Sequence, residues 1–157
     1  MPELVCLRTD GDMEISLFLR RLEEIKASGN DIFVVSVNSS CICSAEHLFS
    51  VFQKAMRSFK IGRSRSRTPE AEFFRILAME DQLNVAIEKC GLSEEISEFC
   101  LIYAGIHSEN ISSLITDFSL VTVDISSCSP DRLSSLGFQS LEELLEATAL
   151  FDAGIPD

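Results

Sequence analysis

Six cysteines, two histidines and a run of alternating arginines are the residues of this chain whose types and spacing could do chemistry. Cys41 and Cys43 flank a single residue, and His47 follows four positions after Cys43. Such a group suits an activated thiol or, with a further ligand, a zinc ion. No CxxC pair occurs, however, and His47 and His107 complete no zinc spacing. A thiol nucleophile also needs a base in contact and a third group to orient it. Cys6, Cys41, Cys43, Cys90, Cys100 and Cys128 sit mostly inside apolar runs, so they read as reduced, structural thiols. His47 reads as a first-turn helix histidine facing solvent. Neighbouring carboxylates such as Glu23 and Glu24, Glu94 and Glu95, or Glu142 and Glu143 do not converge on one site when helical. Neither GxGxxG nor GxxxxGK[ST] nor GxSxG occurs. The chain is therefore expected to be no enzyme, with no cofactor, no bound metal and no small-molecule substrate. A thiol- or metal-dependent protein using Cys41, Cys43 and His47, or a plain interaction module, is the alternative.

The arginines are of another kind. Arg63, Arg65 and Arg67 alternate with Ser64 and Ser66, and Lys54, Arg57 and Lys60 precede them. Guanidinium forks grip phosphate oxygens, and serine hydroxyls add neutral donors. Thr68-Pro69 then opens a helix, whose free N–H groups are a second anion-friendly device. Phe59 or Phe74 offers a ring on which an unpaired base can stack. Single-stranded RNA suits this pattern better than a duplex. The competing reading is a solvated basic loop with no ligand, or a kinase target.

The elements that must position these groups follow from apolar periodicity. Residues 3–7 read as a short strand. Thr9, Asp10 and Asp12 offer caps for a helix with Ile15, Phe18, Leu19, Leu22 and Ile25 on one face, ended at Gly29. Residues 32–37 read as a buried strand. Ser44 caps a helix with Leu48, Val51, Phe52, Ala55 and Phe59 as its stripe; its last turns carry the first three cations, which suit the negative end of the helix dipole. From Thr68 to Gly91 two short helices with a bend near residues 79–82 are expected. A strand over 98–104, a helix over 107–118 and a strand over 120–125 follow. Ser129-Pro130 starts a short helix ended near Gly137. Ser140 and Glu143 form a capping box for the last helix. Strands separated by helices predict an α/β fold, or a mixed α+β one, with a small central mixed sheet packed by helices and the whole of 1–157 as a single domain.

At 157 residues and 46% apolar, the chain has enough apolar material for a real core. Its longest apolar runs fall far short of the ~20 residues that span a bilayer, and its first residues lack a secretion signal. A soluble, intracellular protein is expected. A net charge of −12 should repel nucleic acid on average, but binding follows the local field, and the basic stretch is a local exception.

The stretch over residues 65–92 carries Arg65-Ser66, then Glu72, then Phe73, Ile76 and Leu77, then Gln82-Leu83, Ala86-Ile87 and Gly91-Leu92. In this order and spacing it resembles the small regulatory subunit of the KEOPS/EKC complex, the PRPK-binding protein (TPRKB) family. Leu83 stands where the family pattern has isoleucine, and Met79 where it has a small residue. The resemblance implies a non-catalytic subunit that binds and stimulates the complex's small atypical kinase/ATPase. The complex makes threonylcarbamoyladenosine on tRNA, and the subunit helps recruit tRNA by its single-stranded CCA end. It implies a cytoplasmic location, and a nuclear one as well in a eukaryote. Contacts to tRNA are then expected from Lys54, Arg57, Lys60, Arg63, Ser64, Arg65, Ser66 and Arg67. Contact with the kinase needs an apolar patch left over from the core. Leu83 and Ile87, with Leu144, Leu145 and Phe151 of the last helix, are its candidates, core packing being the alternative for each.

Overall fold

A computed structural model describes residues 2–9, 13–125 and 129–154. The expected caps Asp10 and Asp12, and Cys128, lie outside the described residues. The chain begins with β1 (Glu3–Thr9) and α1 (Ile15–Ala27), followed by β2 (Phe33–Asn38) and a 3-10 turn at Ser39–Cys41. Next comes α2 (Ala45–Lys60), capped as expected by Ser44, whose Oγ accepts the His47 backbone N–H at 3.2 Å. Thr68 caps α3 (Pro69–Ala78) through the Ala71 N–H at 3.1 Å, with Pro69 in the first turn. The expected bend is real. Met79 takes a left-handed φ of 53° and ends α3 before α4 (Leu83–Cys90) begins. Then follow β3 (Glu98–Ala104), α5 (Ser108–Asp117), β4 (Leu120–Val123), α6 (Pro130–Leu136) and α7 (Leu141–Asp152). Ser140 caps α7 by accepting the Glu143 N–H at 3.1 Å. Glu143 does not return to Ser140, as a capping box would have it, but accepts the Gln139 N–H at 3.3 Å.

The chain divides into two compact units. The first holds the four strands with α1 and α5. Strand order is β2-β3-β1-β4, and every pairing is antiparallel, so the class is mixed α and β as expected while the sheet itself is not mixed. Alternation along the strands turns Val5 and Leu7 of β1 and Phe99, Leu101 and Tyr103 of β3 into one core with Phe18, Leu22, Ile111 and Leu114. Phe18 is its centre. The Phe99 and Phe118 rings both meet it edge-on, with centroids 5.3 Å away. Gly105, at φ +78°, closes β3; a Cβ there would meet the Asp31 carbonyl oxygen at 2.7 Å.

The same register overturns the reading of all six cysteines as reduced. Cys6 and Cys100 stand directly opposite on β1 and β3, their Cα atoms 4.0 Å apart, and are disulfide-bonded. Antiparallel pairing across a long sequence separation brought them together, which spacing along the chain does not reveal.

The second unit is helical and holds α2, α3, α4, α6 and α7. There α2 packs on α3 and α7, and α3 also on α4 and α7. Cys43, Leu133 and Leu144 are buried together, with Met79, Phe138 and Leu141 packed against them. Among the described residues no helix is long and apolar enough to cross a membrane.

Candidate functional site

The basic stretch lies entirely in the helical unit, and its backbone is held by its own hydrogen bonds. After α2 the chain turns through Gly62, at φ +76°. The N–H groups of Arg63 and Ser64 both donate to the Ser58 carbonyl, at 2.9 and 3.2 Å. Ser64 Oγ accepts the Ser66 N–H at 3.0 Å, a side-chain turn of the kind serine favours. The Ser66 hydroxyl donates to the Glu72 carboxylate at 3.4 Å. Both serine hydroxyls are engaged within the helical unit, by the loop backbone and by Glu72.

The cations fall into four groups. Arg75, which adds to the basic count in the sequence, is buried and leaves the surface altogether. Its guanidinium meets Glu72 Oε1 at 2.7 Å, the Asp81 carbonyl at 2.7 Å and Asp81 Oδ1 at 3.3 Å. Arg57, Arg63 and Arg65 are exposed but engaged. Arg57 lies 3.7 Å from Asp152 Oδ2, Arg63 donates to the Asp152 carbonyl at 3.0 Å, and Arg65 pairs with Asp81 Oδ1 at 3.1 Å. Lys54 is half-buried; its ammonium donates to Ser50 Oγ, and burial pulls its pKa below the usual lysine value, with Arg57 adding to the shift and Asp152 opposing it. Lys60 and Arg67 are exposed and have no hydrogen-bond or ion-pair partner among the described residues.

Asp152 was not singled out by sequence, yet it organises this surface. Its carboxylate accepts the Ser58 hydroxyl at 2.8 Å and faces Arg57, while its carbonyl takes Arg63. No local signal marks it, because it arrives from the end of α7. Beside these cations, Met56, Phe59 and Ile61 are exposed. Phe59 thus stands on the same last turns of α2 as Arg57 and Lys60, the arrangement a stacking ring requires. Phe74 is half-buried and meets Phe73 edge-on at 6.2 Å.

The apolar candidates separate cleanly. Leu83 and Ile87, one turn apart on α4, are 37% and 45% exposed. Leu145 and Phe151 are half-buried. Leu144 is 1% exposed and packs with Cys43 and Leu133. It packs as a core residue, the alternative the sequence left open for it.

His47 is corrected too. It is 1% exposed, not solvent-facing, and its Nδ1 accepts the Cys43 N–H at 3.2 Å. Burial, helped by the Lys54 ammonium, pushes its pKa down to about 4, so the imidazole is neutral at pH 7. Among the described residues no group of three or more His, Cys, Asp and Glu side chains is placed to hold a metal ion. Cys41, Cys43 and His47 thus form no chelating set there.

No curated relative matches the chain. A family pattern does: the one described as kinase binding protein CGI-121 matches residues 19–136, which takes in part of both units, including the basic loop, α3 and α4. With a match over most of its length, and an exposed cationic and apolar surface on its helical unit, this chain belongs to the CGI-121 family of kinase binding proteins.

Proposed function

We propose that this chain is a non-catalytic regulatory subunit of the KEOPS/EKC complex. It binds and stimulates the kinase/ATPase of that complex and helps recruit tRNA by the CCA end for threonylcarbamoyladenosine formation. Membership of a kinase-binding family supports the first half. The observation that carries the second is the run of cations around an exposed aromatic ring: Lys60 and Arg67 without partners among the described residues, Phe59 at 37% exposure, the exposed Arg57, and Arg63 and Arg65 held only by exposed contacts. Such contacts contribute little each and exchange readily for phosphate oxygens. Leu83 and Ile87 are the exposed apolar pair offered to the kinase, with Leu145 and Phe151 as partly covered neighbours. The complex acts in the cytoplasm and, in a eukaryote, the nucleus.

The experiment has two arms. Co-purification with the KEOPS kinase/ATPase, followed by ATPase rates with and without this chain, tests the kinase half; no complex and no stimulation would refute it. Binding of intact tRNA against tRNA trimmed of its CCA end tests the RNA half. Equal affinity for the two, or unchanged affinity in a folded Arg63→Glu/Arg67→Glu variant, would refute that half alone.

A further inference from the structure

Two thiols of the helical unit are left unused by this reading. Cys41 closes the 3-10 turn before α2, and Cys90 is the last residue of α4. Both are free and buried. Cys41 Sγ donates at 3.2 Å to the carbonyl of Lys89, the residue before Cys90, and the two thiols interact. Both line a cavity of about 160 Å³. That volume holds several waters at about 30 Å³ each, and so admits a molecule as small as hydrogen peroxide. His47 lines the same cavity. Its Nδ1 accepts the Cys43 N–H, so its proton sits on Nε2, a buried atom with no hydrogen-bond partner among the described residues.

We propose that Cys41 and Cys90 are a peroxide-oxidisable dithiol, closed by oxidation into a disulfide that encloses α2, the basic loop, α3 and α4. The two sulfurs are unlike. The hydrogen bond from Cys90 lowers the Cys41 thiol pKa, with Ser40 and the Lys89 ammonium adding to it against the effect of burial. The same hydrogen bond, then burial, raises that of Cys90. Cys41 is therefore the attacking sulfur and Cys90 the resolving one. In the first step the Cys41 sulfur attacks one peroxide oxygen and the O–O bond breaks. The departing hydroxide takes the proton that Cys41 gave up and leaves as water, and Cys41 becomes a sulfenic acid. In the second step the Cys90 sulfur attacks that of Cys41. The S–S bond forms, the S–O bond breaks, and hydroxide leaves as water with the Cys90 proton. Two thiols are oxidised and one peroxide is reduced to two waters.

The test treats the folded full chain with hydrogen peroxide, quenches with catalase, unfolds it in iodoacetamide and maps peptides by mass spectrometry. The expected result is loss of both alkylatable thiols and one linked pair of peptides bearing Cys41 and Cys90. Cys90→Ser, unfolded in dimedone after peroxide, carries the adduct on Cys41, whereas Cys41→Ser leaves Cys90 alkylatable. Recovery of both thiols as alkylated cysteines, linkage to other cysteines, or dimedone on Cys90 in Cys41→Ser would each overturn the proposal. The wild-type map stands by itself if either variant fails to fold. None of these readouts depends on RNA or kinase binding.

Discussion

His47 makes the stability of this protein fall on mild acidification, by an amount that can be worked out. Its pKa in the folded chain is about 4, against 6.5 for the ordinary side chain, because protonation would place a charge where burial allows no water. Between those two values the unfolded chain binds a proton that the native one does not. Stability therefore rises with pH there and is lost as pH falls through 6.5 toward 4. The whole shift corresponds to about 3 kcal/mol, of which about 2 kcal/mol is already lost at pH 5. That is a large share of the ~5–15 kcal/mol of a typical domain. The control is His47→Asn, whose side-chain oxygen can still accept the Cys43 N–H but does not titrate. Chemical denaturation of both proteins at pH 7, 6 and 5 gives the comparison. The wild type should lose about 2 kcal/mol more than the variant between pH 7 and 5. Parallel curves would refute the reasoning, as would an NMR titration with a midpoint near 6.5 for the histidine signal that His47→Asn removes.

Three further outcomes are expected. Arg75→Ala leaves the Glu72 carboxylate buried without its guanidinium and should destabilise by about 3–5 kcal/mol in guanidinium denaturation, most of it restored when Glu72 is also made apolar. Thr68→Ala removes the cap of α3 and should lower stability by about 1 kcal/mol by the same measurement, with tRNA affinity nearly unchanged. For tRNA binding measured across salt concentrations, neutralising Lys60 or Arg67 to glutamine should reduce the slope of log affinity against log salt by about 0.7 for each single-strand phosphate no longer neutralised. Arg21→Gln, which breaks only the Arg21–Asp117 pair of the other unit, should leave that slope unchanged.

The elements were readable because their signals are local. Ser44, Thr68-Pro69, Ser129-Pro130 and Ser140 mark helix starts by chemistry that acts within three residues. The bend after α3 was readable from the break in its apolar stripe. What was not readable depends on partners far along the chain. The pairing of β1 with β3 decides that Cys6 meets Cys100. The inward turn of His47 depends on Cys43 and the core around it, although a first-turn histidine can equally face water. Arg75 reads as one more cation of a basic stretch until the fold places Glu72 and Asp81 around it. Leu144 and Leu83 occupy similar stripes in sequence, and only packing tells that one is core and the other exposed.

The division among the arginines bears on how an acidic protein could hold RNA in the way proposed. A buried pair such as Arg75 with Glu72 is fixed, since removing either partner strands a charge away from water. Arg65 with Asp81 is the opposite case. Both side chains are largely exposed, and such a pair is worth about 0–1 kcal/mol. A phosphate oxygen that displaces Asp81 from Arg65 therefore gives up little and gains a charge-assisted bond of the same kind. Asp81 is not left stranded by the exchange, because Arg75 Nη2 holds the same oxygen at 3.3 Å. On the proposed reading, the acids beside the loop keep its cations ordered without RNA and release them when RNA arrives. Grip would then be modest and salt-sensitive, as suits a subunit that must let its tRNA go once modified. Asp81→Asn separates this exchange from permanent neutralisation: it should tighten tRNA binding if Asp81 competes with phosphate, and weaken it if Asp81 is needed to hold Arg65 in place.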